Sequence, residues 1–363
     1  MSVHRAIVRS GGGVSVVLRP TPSPGPGELT VAPLYAGLCG TDLQMLRGLR
    51  DDPAPVIGHE GVGRVAAVGP DVPDAFAPGT LVTVNPTHPR DPGFLLGHNV
   101  DGLLQERTLL PASAVAGGMV VPLPESTDVT LGALLEPLAV ARYALAELRA
   151  FAPRTLLVVG DGVVGHLAVR AARPVLGADV RVVLVHRTET GRVFSRRSPH
   201  PADVLLLAGE RAPLPGPVAA LIVTPRDATV AALEAVLAAA GPDVVVDLVG
   251  GLPPGAATPL LPGVDLAAAR AANCGGLPSP ARVTATARGR LFGHRGVSGG
   301  QLRAAAAELA RDPARYRDLI THRTGLDGAA RVMRRLARTR DRTVDGRRLV
   351  KLSVRIAATE GDP

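Results

Sequence analysis

Cys39, His59 and Glu60 fall in one stretch, Gly37 to Gly63, that reads G-L-C-G-T-D-L-Q, then a Pro-rich turn, then V-I-G-H-E-G-V-G. A thiolate, an imidazole and a carboxylate are the donor types a zinc ion takes. Thr41 adds a hydroxyl two residues from the thiolate. The intervening glycines and prolines allow tight turns and close backbone approach. A second stretch, Val158 to Gly165, reads V-V-G-D-G-V-V-G, with glycines at Gly160, Gly162 and Gly165 and Asp161, Val163 and Val164 between them. It follows an apolar run and opens a helical pattern. In that context the first glycine makes the turn, the second lets the backbone approach a pyrophosphate, and the third allows close helix–strand packing. The helix N-terminus adds free N–H groups and the positive end of a dipole. The two stretches together point to metal-assisted hydride transfer.

The ribose of a bound dinucleotide is read at the end of the second strand, about 20 residues on, where an acid accepts from the 2′-hydroxyl of NAD. Here the run Val180–Val185 ends in His186-Arg187, and Glu189 lies beyond the strand end. An arginine pairs with a 2′-phosphate. His186 and Arg187 therefore favour NADP(H) over NAD(H).

These residues need elements to hold them. Residues 4–8 and 14–18 read as a strand pair around the Gly11-Gly12-Gly13 turn, and 29–35, 61–68, 81–84 and 103–110 as further strands with close-set turns. This part reads as an irregular β domain. Residues 130–150 have helical apolar spacing and contain Leu135-Glu136-Pro137. From Leu156 the pattern changes to apolar strands (156–159, 180–185, 203–208, 220–223, 244–249) alternating with helices (163–176, which Pro174 should shorten, and 229–240). Residues 266–272 and 284–291 are weaker strand candidates, and 192–201 carries no readable pattern. Such alternation after a Gly-rich first turn predicts a doubly wound parallel sheet. Two amphipathic helices, 301–309 and 328–338, and a strand, 348–356, follow. The fold class is α/β: a β catalytic domain from 1–144 and 298–363, with a Rossmann domain at 145–297 between its parts.

A length of 363 residues suits two domains. No apolar run in the sequence reads as a membrane span or a signal peptide, so a cytoplasmic protein with no membrane partner is expected. Cys39 and Cys274 are the only cysteines, too few for a disulfide framework. The net charge is +8, yet Lys351 is the only lysine among 40 basic residues. That bias fits GC-rich coding DNA. The basic run Arg331 to Arg348 has no aromatic platform or nucleic-acid motif beside it, so no nucleic-acid partner is expected.

The motifs in order resemble those of the zinc-dependent medium-chain dehydrogenase/reductase superfamily, closest to its polyol-dehydrogenase-like members. They are P-G-P-G-E (24–28), G-L-C-G-T-D (37–42), G-H-E-G-V-G (58–63), D-G-L-L-Q-E-R-T-L-L-P-A (101–112), L-E-P-L-A-V (135–140), the glycine turn and L-I-T-H-R (319–323). The resemblance implies a GroES-like catalytic domain beside a Rossmann domain, with the substrate in the cleft between them. It implies Cys39, His59 and Glu136 as ligands of one catalytic zinc, with Glu60 a ligand or a neighbour that exchanges with water. Thr41 takes the role of proton acceptor, and Asp42 that of an acid orienting the ligands. The activity implied is hydride transfer between a secondary alcohol (polyol, sugar or cyclitol) and a nicotinamide cofactor, in a homo-oligomer, a dimer or tetramer. His98, Asn99 and Arg290 are polar pocket candidates.

The chain departs from the family pattern in three places. The segment 85–97 has no cysteines for a structural zinc, Gln44 stands where many members carry a relay histidine, and the 2′-ribose acid is missing. His88 and His98 lie near the gap in sequence. The competing readings are a zinc-free quinone or enone reductase of the same superfamily and a non-catalytic nucleotide-binding protein.

Overall fold

The computed structural model describes residues 2–10 and 13–356; the expected turn residues Gly11 and Gly12 lie outside the described residues. The chain divides into two compact units, Met1–Glu136 with Gly299–Pro363, and Pro137–Ser298. The first division passes through the opening turn of the helix Leu135–Arg149.

The first unit is built on a sheet ordered Ile320–Thr324, Lys351–Arg355, Leu29–Gly37, Glu60–Val68, Leu81–Val84, Val120–Pro122, with Thr108–Leu110 added to the start of Leu29–Gly37. The strand Lys351–Arg355 is thus interior to the sheet, paired with Ile320–Thr324 on one side and Leu29–Gly37 on the other. Its residues are buried from Lys351 to Val354. Leu29, Val31, Ala36, Leu38, Leu43, Ile57, Leu104, Leu352 and Val354 share one core. The hairpin Val3–Ser10 with Gly13–Pro20 forms its own two-stranded sheet. Only Thr108–Leu110 of the expected 103–110 strand is regular. The preceding residues spend their N–H groups on the loop before His59, as in Leu103 N to Gly58 O at 2.8 Å.

The second unit is the expected doubly wound sheet, ordered Val204–Leu207, Arg181–His186, Thr155–Val159, Val218–Ile222, Val245–Leu248, Gly289–Gly293, Thr284–Thr286. All pairings are parallel except that of the last strand. The order reverses between Thr155–Val159 and Val218–Ile222, and such a switch point is where open α/β sheets bind ligands.

Several expectations differ from the structure. Leu266–Ala271 is a helix, not a strand; Asp265 caps it by accepting from Ala268 N. Residues 284–291 form two strands of a hairpin turned before Gly289. The helix Val163–Leu176 runs through Pro174, which lies in its last turn and breaks only one backbone bond. The unreadable 192–201 stretch contains most of the helix Glu189–Arg196, capped by Thr188. The continuous helical segment Val129–Arg149 is long and apolar enough to cross a membrane, with a mean hydropathy of 1.4, although no apolar run was expected to reach that length. Its most apolar window is 72% buried inside the protein, as in a core helix.

Candidate metal centre and dinucleotide turn

Strand pairing brings the metal-ligand types together. Leu29–Gly37 delivers the chain to Cys39, and its Gly37 pairs in register with Glu60, the first residue of the next strand. Cys39, His59 and Glu60 place their ligand atoms within 4.8 Å of one another. His59 and Glu60 are buried, whereas Cys39 is partly accessible. The helix Gly40–Leu46 starts at once after Cys39, and its fully buried Asp42 accepts from Cys39 N at 2.8 Å and from Gly58 N at 3.4 Å. One carboxylate thus ties the two ligand loops together. Thr41 Oγ1 lies 3.6 Å from Cys39 Sγ.

His59 Nδ1 stands 3.6 Å from Asp42 Oδ1, an ion-pair distance too long for a hydrogen bond, and has no hydrogen-bond partner. Burial opposes the charge on His59, but the negative charges of Cys39 and Asp42 outweigh it and raise its pKa well above 6.5. Burial likewise opposes charge on Asp42; the His59 charge and the Cys39 N–H prevail, and its pKa falls. A partly accessible thiol, a buried imidazole with one nitrogen left unbonded and a buried carboxylate, brought this close, fit a zinc ion by donor chemistry.

Glu136, in the first turn of Leu135–Arg149, is buried but not within the close trio. Burial first, and then the Glu60 carboxylate, raise its pKa to about 7, against the opposing charges of His59 and Lys351. Its carboxyl therefore responds to the charges of the same centre.

Two features of this centre were not foreseen. The first is Lys351: fully buried, its ammonium pairs with Glu60 Oε2 and lies 3.4 Å from Leu38 O. The second is the pair of His98 and Asp52. His98 Nδ1 lies 3.2 Å from Asp52 Oδ2, and its ring centroid is 5.2 Å from that of His59. Burial and the neighbouring His59 charge lower the His98 pKa to about 4. Asp52 is held at about 2 despite its burial, by Arg50 and His98. His98, Asn99 and Arg290 were the pocket candidates. Asn99 is exposed and donates to Pro92 O. Arg290 is exposed at the amino end of its strand and stacks on Phe151 at 4.8 Å. His88 accepts from Arg90 N and Asp91 N in a turn.

In the second unit, Gly160 has φ +120°, and a Cβ there would meet Val223 O at 2.9 Å. A Cβ on Gly165 would lie 2.0 Å from Gly160 O, so close packing demands glycine. At Gly162, the N-cap of Val163–Leu176, a Cβ would meet nothing within 4 Å. Open space over a helix N-terminus fits a pyrophosphate. Asp161 is buried within the turn, and Val163 and Val164 open the helix.

The second strand ends differently from expectation. His186 is turned inward and buried, Nε2 2.7 Å from Ser195 Oγ and Nδ1 2.9 Å from Leu206 O, so its ring cannot serve a phosphate. Arg187 is exposed at that corner. Glu189 pairs with Arg192 at 2.5 Å.

Residues 25–125 match the alcohol dehydrogenase GroES-like domain family. Glucose 1-dehydrogenase of Thermoproteus tenax is 34% identical over 187 residues, covering 45% of this chain and 52% of that protein. The 2-dehydro-3-deoxy-L-galactonate 5-dehydrogenase of Pseudoalteromonas atlantica is 30% identical, over 51% and 58%. The chain thus spans about half the length of the curated relatives it matches. Likeness of fold extends further. Galactitol-1-phosphate dehydrogenase of Escherichia coli superposes with a TM-score of 0.74 at 20% identity, over 97% of this chain and 99% of that one. A Sinorhizobium meliloti protein assigned to the zinc-binding dehydrogenases, solved with NADP, gives 0.72 at 24%, over 98% and 99%.

Proposed function

We propose that this chain, a member of the medium-chain dehydrogenase/reductase superfamily, is a zinc-dependent oxidoreductase that moves a hydride between a secondary alcohol and a nicotinamide cofactor. The observation that carries this reading is the convergence of Cys39, His59 and Glu60 within 4.8 Å, in a chain that also carries the Gly160–Gly165 turn. Cys39 and His59 would hold the ion, with Glu136 and Glu60 as the carboxylates at hand. Bound there, zinc supplies a Lewis acid that lowers the pKa of an alcohol oxygen. Thr41 Oγ1 would accept the hydroxyl proton while giving up its own toward solvent, and Asp42, facing His59 Nδ1, fixes that ring's orientation. Gln44 cannot pass the proton on, since an amide does not titrate.

Gly160, Asp161, Gly162, Val163, Val164 and Gly165 would cradle the pyrophosphate, and the cofactor supplies the hydride chemistry. Arg187, at a strand end without an acid, supports NADP(H) over NAD(H). We assign one zinc per chain, because 85–97 has no cysteine. The substrate class is a polyol, sugar or cyclitol; support comes from the sugar-acting names among the relatives and from Glu136 in the L-E-P stretch. We place the protein in the cytoplasm as a homo-oligomer.

Elemental analysis with a polyol and cyclitol screen, followed by nicotinamide absorbance, tests this reading. One zinc per chain and turnover lost on stripping are expected. Full turnover without metal would favour a zinc-free quinone or enone reductase.

A further inference from the structure

The first unit carries a cavity of about 310 Å³ that none of the proposed metal ligands lines. The hairpin Val3–Ser10 with Gly13–Pro20 gives it His4 and Arg19, and the stretch around the strand Thr108–Leu110 gives it Asp101, Gln105 and Arg107. Prolines and aliphatic side chains complete the wall. A cavity of this size takes a small molecule.

The hydrogen bonds of Gln105 fix what His4 can offer. His4 is 5% exposed, and its Nε2 lies 3.1 Å from Gln105 Oε1. The Gln105 amide nitrogen donates to Gly102 O at 3.0 Å, so Oε1 is left to accept. His4 Nε2 therefore carries a hydrogen. In the neutral ring Nδ1 is then an acceptor, and it is buried without a hydrogen-bond partner. A buried polar atom left unbonded destabilises the fold, and a bound donor relieves that cost.

The charges in the wall do not cancel. Arg19 donates to Asp101 Oδ2 at 2.6 Å, which balances one guanidinium. Arg107 is half-buried and donates to Glu106 O at 2.7 Å; among the described residues no carboxylate pairs with it. With His4 neutral, the cavity keeps a single positive charge. One free cation, one acceptor and apolar surface are complemented by one anionic group and one hydroxyl on a short carbon chain. A guanidinium matches a carboxylate in charge and shape, whereas a phosphate dianion would leave one charge uncompensated.

We propose that this cavity binds a small hydroxycarboxylate, its carboxylate on Arg107 and a hydroxyl donating to His4 Nδ1. The site is independent of the zinc reading above.

Calorimetric titration of the full chain with three compounds of one three-carbon skeleton tests the inference. Glycerate should bind with a Kd of about 1 mM or tighter. Glycerol lacks the carboxylate and propionate lacks the hydroxyls, and each should bind at least about tenfold more weakly. Arg107→Gln should weaken glycerate about ten- to a hundredfold. His4→Phe, which keeps a ring and removes both nitrogens, should weaken it at least about tenfold. Failure of glycerate to saturate at about ten times the expected Kd would overturn the inference. So would propionate binding as tightly as glycerate, or unchanged affinity in Arg107→Gln, which would put the acid elsewhere on the chain. Binding that requires added zinc would place the acid at the metal and count equally against the cavity. If His4→Phe fails to fold, Arg107→Gln and the propionate comparison still decide.

Discussion

Glu136 holds a proton near neutrality because burial, and then the carboxylate of Glu60, raise its pKa from 4.5 to about 7. The folded, metal-free chain therefore keeps a proton through a window in which the unfolded chain has lost it. Stability falls as pH rises from 4.5 to about 7, by about 3 kcal/mol from this group. Urea unfolding of the stripped protein across that range should show the slope, and Glu136→Gln should flatten it. An unchanged slope in the mutant would place the proton elsewhere. Arg187 makes a second residue-scale case. A charge-assisted contact to a 2′-phosphate contributes about 1.5–3 kcal/mol, roughly ten- to a hundredfold in affinity. Arg187→Ala should lose NADPH affinity by that factor and leave NADH nearly untouched in a fluorescence titration; equal losses for both cofactors would contradict the assignment. The convergence of Cys39, His59 and Glu60 was legible in the sequence because zinc chemistry restricts its donors to few residue kinds. The inward turn of His186 was not, since a strand-end residue can face either way and only the position of Ser195 decides it.

At the scale of elements, the Gly160–Gly165 turn is the best-read part of the chain, because each glycine answers a separate steric demand. Gly165→Ala sets a methyl carbon 2.0 Å from Gly160 O, so strand and helix must part. Overpacking of this kind costs about 1–3 kcal/mol. Dinucleotide affinity should fall at least about tenfold, since the N–H groups that would face the phosphates move with the helix. Gly162→Ala, whose Cβ meets open space, should leave the apo fold stable yet obstruct the cofactor. A calorimetric and titration comparison of the two variants separates packing from access. Elements without such demands were harder to read. The six residues of Leu266–Ala271 are too few to show a helical period, and only the Asp265 cap distinguishes them from a strand. The interior place of Lys351–Arg355 in the sheet was also hidden, because its strand partners lie far away in sequence.

For the whole molecule, the two units give a thermal prediction. The proposed metal ligands Cys39, His59, Glu60 and Glu136 belong to the unit formed from both ends of the chain, and the glycine turn to the other. A ligand at a hundred times its Kd stabilises the state that binds it by about 2.7 kcal/mol. Scanning calorimetry should show zinc raising one transition and NADPH the other. A single transition raised by both would mean that the units melt as one block. The same architecture has a consequence for chemical labelling. Lys351, the only lysine, has no exposed surface. The native fold thus presents no lysine amine to an acylating reagent, despite a net charge of +8. Lys351 becomes reactive only when the strand Lys351–Arg355 leaves the sheet, so its modification rate is a clock for that opening. Mass spectrometry of acylated protein should find Lys351 unmodified under native conditions and modified in urea, with zinc slowing the appearance of the label.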